Sequence, residues 1–157
     1  MMQYRFIQQG EWNKQRRALL SIENKCFKKK DRTYVRIFKE LINDILIVRD
    51  GRKAIGCFVC AALEESGDDL KRWDKNYGKN NTLYIFSIGV IPEYRNAGIG
   101  RSMMYKIIRN ASRDYDRITL HTRDKGFYNM CIMLGFRNVR SGRLDNHKMY
   151  YMTKWLK

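Results

Sequence analysis

The sequence predicts an α/β chain of mixed α+β character: a single domain over residues 1–157, with a mixed central sheet of six to seven strands flanked by about four helices. Three observations predict it. Short apolar runs of strand length alternate with segments whose apolar residues recur every three to four positions. The one proline, Pro92, stands where an apolar strand has to stop and a loop begin. The hydrophobic fraction of 44% and the aromatic fraction of 13% suffice to close one core, and no repeat, linker or low-complexity stretch divides the chain.

Residues 3–7 read as a short first strand. Over 11–27, Trp12, Ala18, Leu19, Ile22 and Phe27 recur at helical spacing, and Lys14, Arg16, Arg17 and Lys25 fill much of the rest. After a basic turn at 28–32, a second helix is expected over 34–43 on a stripe of Val35, Phe38, Leu41 and Ile42. Residues 45–48 form a strand leading into Asp50-Gly51, a strong hairpin signal, and the partner strand runs over 54–63. Residues 64–81 are polar, dotted with glycine and aperiodic. They read as a surface loop with a helical turn near 70–73, and loops of that length in a compact domain are often functional. The run 82–91 is almost wholly apolar, as a central strand covered on both faces should be. A glycine loop follows, then an amphipathic helix with Met104, Ile107, Ile108 and Ala111 on one side and Lys106, Arg109 and Arg113 on the other. Residues 118–122 are another strand, 127–134 a short helix closed by Gly135, and 136–139 and 148–156 the last two strands.

Charge narrows the partners. Lys and Arg number 32 against 16 Asp and Glu, a formal net charge of +16. Such a surface attracts phosphate-rich cofactors, nucleic acid and acidic proteins, and it repels polycations such as polyamines and aminoglycosides. Cys26, Cys57, Cys60 and Cys131 are too sparse for a disulfide scaffold. Cys57 and Cys60 have CxxC spacing but sit in a strand reading, where positions three apart face opposite ways, so no metal site is expected. Reduced thiols and the lack of a signal-like or membrane-length apolar run lead to the expectation of a cytoplasmic protein with no membrane partner. Oligomeric state is left open, a dimer included.

The segment Val90-Ile91-Pro92-Glu93-Tyr94-Arg95-Asn96-Ala97-Gly98-Ile99-Gly100-Arg101 carries the functional reading. A strand enters a loop with two close glycines, and a helix begins at once. Glycines let a ligand approach backbone N–H groups, and those groups with the positive end of the helix form an anion site suited to a pyrophosphate. The Walker and dinucleotide patterns do not fit, since the first needs Gly-Lys-Ser/Thr and the second a third glycine. The fuller pattern, Val-x-Pro-x-x-Arg-x-x-Gly-x-Gly after a buried strand, resembles motif A of the GNAT superfamily of N-acetyltransferases, with Arg95, Gly98 and Gly100 at the matching places. Leu134-Gly135-Phe136, followed by a strand and a last strand bearing Met152 to Leu156, adds to it. The order of elements fits along nearly the whole chain, while only 88–104 is specific by sequence. The resemblance implies acetyl-CoA as co-substrate, wedged where the fourth and fifth strands of a mixed sheet splay. Backbone groups of Ile88 and Val90 would pair with its pantetheine arm, and Arg95, Asn96, Ala97, Gly98, Ile99, Gly100 and Arg101 would surround its pyrophosphate.

Acyl transfer to an amine needs a neutral amine, a donor at the developing oxyanion and an acid for the departing thiolate. Many relatives place a Tyr four residues before the glycine of Leu-Gly-Phe; here that position is Cys131, and Tyr128, one helical turn earlier, is the favoured replacement. The strand 82–90 holds no carboxylate; Tyr84 takes roughly the place where many relatives carry a Glu. His121, on the next strand, has an unperturbed pKa suited to proton removal. Its parity sets it with Thr119 and Arg123 away from Ile118, Leu120 and Thr122, toward a cleft or solvent. His147 and Glu64 are weaker candidates, and ordered water is a further one. The acceptor has three readings. The first is an amine on a protein, either an α-amino group or a lysine. The second is an amine carried by nucleic acid, such as aminoacyl-tRNA or a modified base, with Trp73, Tyr77 and Tyr84 as base-stacking candidates. The third is a non-catalytic module that binds coenzyme A or nucleic acid.

Overall fold

The computed structural model describes residues 1–8, 10–28, 44–144 and 146–157. The helix expected over 34–43, and the basic turn beyond Lys28, lie outside those residues. The elements are β1 (Met2–Phe6), α1 (Trp12–Cys26), β2 (Asp44–Asp50), β3 (Lys53–Ala62), β4 (Thr82–Val90), α2 (Ile99–Ala111), β5 (Arg117–Thr122), α3 (Lys125–Met133), β6 (Arg137–Leu144) and β7 (His147–Trp155). The sheet has the order β1-β2-β3-β4-β5-β7-β6. It is mixed: β4 and β5 run parallel, while the β1–β2, β2–β3, β5–β7 and β6–β7 pairs are antiparallel. The parallel ladder joins Thr82–Ile85 to Arg117–Leu120.

The chain divides into two compact units, Met1–Ala61 with Phe86–Lys106, and Ala62–Ile85 with Ile107–Lys157. In the first, the Asp50-Gly51 signal gives the expected hairpin: Asp50 pairs with Lys53 around a two-residue turn. Leu19 and Ile22 of α1, Leu46 and Val48 of β2, Ile55 and Phe58 of β3 and Met103 and Met104 of α2 are fully buried. The end of α1 lies directly on β4. A Cβ built on Gly89 would fall 3.0 Å from Cys26 Sγ and 3.2 Å from Cys26 Cβ, so the close approach depends on glycine.

In the second unit, residues 64–81 depart from the surface-loop expectation. With Leu63 they form two 3-10 turns, Leu63–Glu65 and Asp68–Arg72, the second where a helical turn is expected near 70–73, and they bury Leu70, Trp73 and Asp74. Polarity suggested exposure, but the buried polar groups are paired. Arg117 Nη1 donates to Asp74 Oδ2 at 2.7 Å, and Tyr151 Oη donates to the same oxygen at 2.6 Å. The Asn76 N–H closes an Asx turn on Asp74 Oδ1 at 2.9 Å, and Arg117 Nη2 reaches Asn76 O at 3.1 Å. Arg117, Asp74 and Tyr151 are all buried, so the ion pair works at short range in a dry setting. The helix expected from 127 begins two residues earlier, because Asp124 Oδ1 caps it by accepting from the Phe127 N–H. The strand expected over 136–139 runs on to Leu144, pairing Arg143 with Lys148 across a hairpin. Its residues are mostly exposed on both faces, so it carries no apolar alternation to read.

Candidate functional site

The glycine loop belongs to the first unit. Pro92–Tyr94 makes a 3-10 turn after β4, tied to the β2–β3 hairpin by Tyr94 Oη donating to Asp50 Oδ2 at 3.1 Å and by a Lys53–Glu93 ion pair at 3.6 Å. Asn96 and Gly98 both take positive φ, 62° and 77°, the left-handed region that favours glycine. Helix α2 opens at Ile99, and Ser102 N–H, bonded to Gly98 O at 3.0 Å, is the first amide its own turn satisfies. The earlier amides have no intrahelical acceptor, and no acidic residue occupies the first turn to neutralise the dipole. A Cβ on Gly98 or Gly100 would meet nothing within 4 Å. The space over both glycines is therefore open, beside a helix start whose first amides have no intrahelical acceptor. The side chain of Arg95 turns back on the strand: its Nε donates to Val90 O at 2.9 Å. That bond occupies one of the strand groups expected to serve the pantetheine arm.

The second unit holds the proton-handling candidates. Tyr84 Oη and His121 Nδ1 are hydrogen-bonded at 3.0 Å, from neighbouring parallel strands. His121 does not face open solvent. Its ring lies 4.6 Å from Trp73, edge-on at 87°, and 4.7 Å from Tyr151. The parity was read correctly, but residues 73–76 cover that face of β5. Burial pushes the imidazole down from 6.5 to about 4, with Asp69 raising it and Arg72 lowering it to lesser degrees. Burial also pushes the Tyr84 phenol well up. Near neutral pH both partners are uncharged.

Tyr128 and Cys131 share α3, as their spacing predicts, but their settings differ. Tyr128 is half-buried against Tyr150, ring centroids 4.7 Å apart. Cys131 is fully buried, and desolvation pushes its thiol up to about 12. Moving that proton to a thiolate of ordinary basicity near 8.5 would be uphill by roughly 5 kcal/mol, so a packing role suits Cys131 better. The Glu64 side chain and His147 are exposed, and neither takes part in the Tyr84–His121 hydrogen bond. Trp73 is 7% exposed and Tyr84 is engaged with His121, so neither presents a face for base stacking. Tyr77 is half-buried, its hydroxyl bonded to Glu64 O and its ring under Lys71. Sequence reasoning missed Asp74, Arg117 and Tyr151. The available signal was a strand, 117–121, carrying Arg, Thr and His on one face in a part of the chain too apolar to leave them wet.

A model of the Acetyltransferase (GNAT) family matches residues 12–131, well over half of the chain. The histone acetyltransferase MCC1 of Arabidopsis thaliana is 40% identical over 51 residues, which is 32% of this chain and 21% of that protein. The match thus spans about a fifth of that relative's length. The ribosomal-protein-S18-alanine N-acetyltransferase of Escherichia coli is similar with a TM-score of 0.73 at 14% identity, over 99% of this chain and 94% of that one. Arabidopsis thaliana NAA60, solved in complex with acetyl-CoA, is similar with a TM-score of 0.70 at 18% identity, over 99% of each chain. At such identities the likeness is one of fold, and the fold, the loop and the matched model agree: this chain belongs to the acetyltransferase (GNAT) family, whose enzymes draw their acetyl group from acetyl-CoA.

Proposed function

We propose that the chain is an acetyl-CoA-dependent N-acetyltransferase acting on a primary amine of a protein, with an α-amino group preferred to a lysine. The observation that carries it is the open space over Gly98 and Gly100 at the start of α2, next to amides with no intrahelical acceptor, a setting that suits a diphosphate and that a side chain would fill. Acetyl-CoA bound there supplies an activated acyl group. In the first unit the amides from Asn96 to Arg101 would hold the diphosphate; in the second, Tyr84, hydrogen-bonded to His121, would orient the incoming amine. Tyr128, half-buried on α3, would supply the proton to the departing sulfur.

The preference for an α-amine follows from the Tyr84–His121 pair. An imidazole held near 4 and a phenol held high are weak proton acceptors at neutral pH. Such a pair can receive a hydrogen bond from a neutral amine better than it can strip an ammonium. At pH 7.5 roughly a quarter of an α-amine is neutral, against about one lysine in a thousand. The +16 charge further repels a lysine-rich acceptor tail. Two proteins this chain is similar to are named for protein acceptors, a histone and ribosomal protein S18.

Thiol release from acetyl-CoA tests the reading with two peptide sets: lysine-free peptides with a free N-terminus, and N-terminally blocked peptides with one lysine. Faster turnover on the first set, lost in Tyr84→Phe, supports it; equal or faster turnover on blocked lysine peptides refutes the α-amine preference. The same charge favours a second reading, an amine borne by nucleic acid, with the exposed Arg137, Arg143 and Lys148 of β6 and β7 as phosphate contacts. An ultraviolet spectrum of the purified protein before and after high salt separates the two, because bound nucleic acid would show and then leave.

A further inference from the structure

We propose that Trp73 is a positioning residue for His121: reaching in from the segment between β3 and β4, it closes the imidazole against Tyr84 and Tyr151 and keeps water from it. The inference rests on the reading that Tyr84 and His121 handle the acceptor amine.

Three aromatic rings from three elements surround the imidazole. Trp73 stands edge-on at 4.6 Å, Tyr151 of β7 lies at 4.7 Å and 49°, and Tyr84 of β4 at 5.9 Å and 72°. Tyr84 takes Nδ1, while Nε2 is buried without a hydrogen-bond partner. A ring so buried, with Nε2 unpaired, resists protonation because desolvation penalises the charged form. Hence the wall that excludes water sets the proton chemistry of the ring.

Trp73 is itself anchored from several directions. A Cβ on Gly142 of β6 would fall 2.7 Å from Trp73 Cη2 and 3.2 Å from Cζ3, so β6 can lie against the indole only as glycine. The Arg140 guanidinium covers the indole at 5.8 Å and hydrogen-bonds Arg72 O. The next residue, Asp74, is held by Arg117 and Tyr151. Tyr151 packs on both rings, 6.4 Å from the indole and 4.7 Å from the imidazole, and so ties the one to the other. The other charged groups acting on the imidazole, Asp69 and Arg72, oppose each other. Its surroundings therefore act mainly through desolvation, the part that Trp73 controls.

The chain has two histidines, and His147 is exposed at the start of β7. Imidazole carbon-bound proton resonances are followed by NMR against pH in the wild type, Trp73→Leu, Trp73→Phe and Gly142→Ala. His121 is expected to titrate near 4 in the wild type, and to move toward 6.5 by about one pH unit or more in Trp73→Leu and in Gly142→Ala, which pushes the indole aside. Trp73→Phe should move it less, the His147 resonances serving only to tell the two rings apart. A His121 midpoint that is near 6.5 in the wild type, or unchanged in the folded variants, overturns the proposal. If Trp73→Leu does not fold, Gly142→Ala and Trp73→Phe give the same decision. Turnover is read separately: a lower kcat with unchanged KM for acetyl-CoA, and an acid limb following the new midpoint, are expected. A shifted midpoint with unchanged kcat keeps the positioning role and removes the Tyr84–His121 pair from the chemistry.

Discussion

Replacing Gly100 by alanine separates what the fold needs from what the coenzyme needs. Gly100 is the second residue of α2 with no positive φ, and an added Cβ meets nothing within 4 Å. Judged on the protein alone, alanine should stabilise the helix start by roughly 0.5 kcal/mol, raising Tm by about 1–2 °C in a chain of this length. Judged on the proposed site, the same methyl stands where diphosphate oxygens must approach the amides. Wild type with coenzyme at about a hundred times Kd should gain roughly 2.7 kcal/mol; a tenfold weaker Kd leaves about 1.4 kcal/mol. Gly100→Ala should thus melt slightly higher alone yet respond about half as much to coenzyme A, with calorimetry reporting a Kd raised about tenfold or more. Gly98→Ala should lose the same affinity but start from a fold weakened by about 1–2 kcal/mol, because its φ of 77° strains any Cβ. Gly100→Glu should abolish binding altogether. A Gly100→Ala protein with an unchanged Kd for coenzyme A and acetyl-CoA would refute the assignment of the loop.

Three other outcomes are expected. Asp74→Ala leaves Arg117, 1% exposed, without its counter-charge and should cost about 3–5 kcal/mol in denaturant unfolding; a loss under about 1 kcal/mol would mean that water already reaches the pair. His121 is held neutral by burial, so its contribution to stability is complete above pH 6.5 and is lost as pH falls through the window down to about 4. The loss over that window should approach roughly 3 kcal/mol, read as the pH slope of unfolding in wild type minus that in His121→Phe; equal slopes would show the ring is wet. Tyr128→Phe should lower kcat more than it weakens coenzyme binding, whereas Cys131→Ala should leave kcat per folded molecule nearly unchanged. A larger kcat loss in Cys131→Ala than in Tyr128→Phe would return the acid role to the thiol.

The parts of the fold that were readable are those whose pattern is local. Apolar periodicity marked α1 and α2, alternating or continuous apolar runs marked β2 to β5, and Asp50-Gly51 marked a turn whose register the structure bears out. The segment between β3 and β4 was not readable in this way. Its polar residues are buried because partners 43 and 77 positions away in the chain satisfy them, Arg117 and Tyr151 on one carboxylate. No window of local composition contains that information. The far half of β6 escaped notice for the opposite reason, since a strand exposed on both faces has no pattern to show.

The same distinction governs the candidate site. The cradle proposed for a phosphate would be made of main chain, so two glycines and a helix start within a few residues describe nearly all of it, and the structure adds the dihedral angles and the open space. Acid and base roles are properties of environment. His121 and His147 look equivalent as residue types, yet one is exposed and the other is enclosed by three rings and driven to about 4. Cys131 looked chemically matched to a leaving thiolate until burial moved it to about 12. In each case the decisive group is on another element: Trp73 over His121, or the packing around α3 on Cys131. The proton chemistry of this chain is therefore set by contacts far apart in sequence, and substitutions at Gly142 or Asp74, which need not touch a substrate, should alter it as surely as changes at the ring itself.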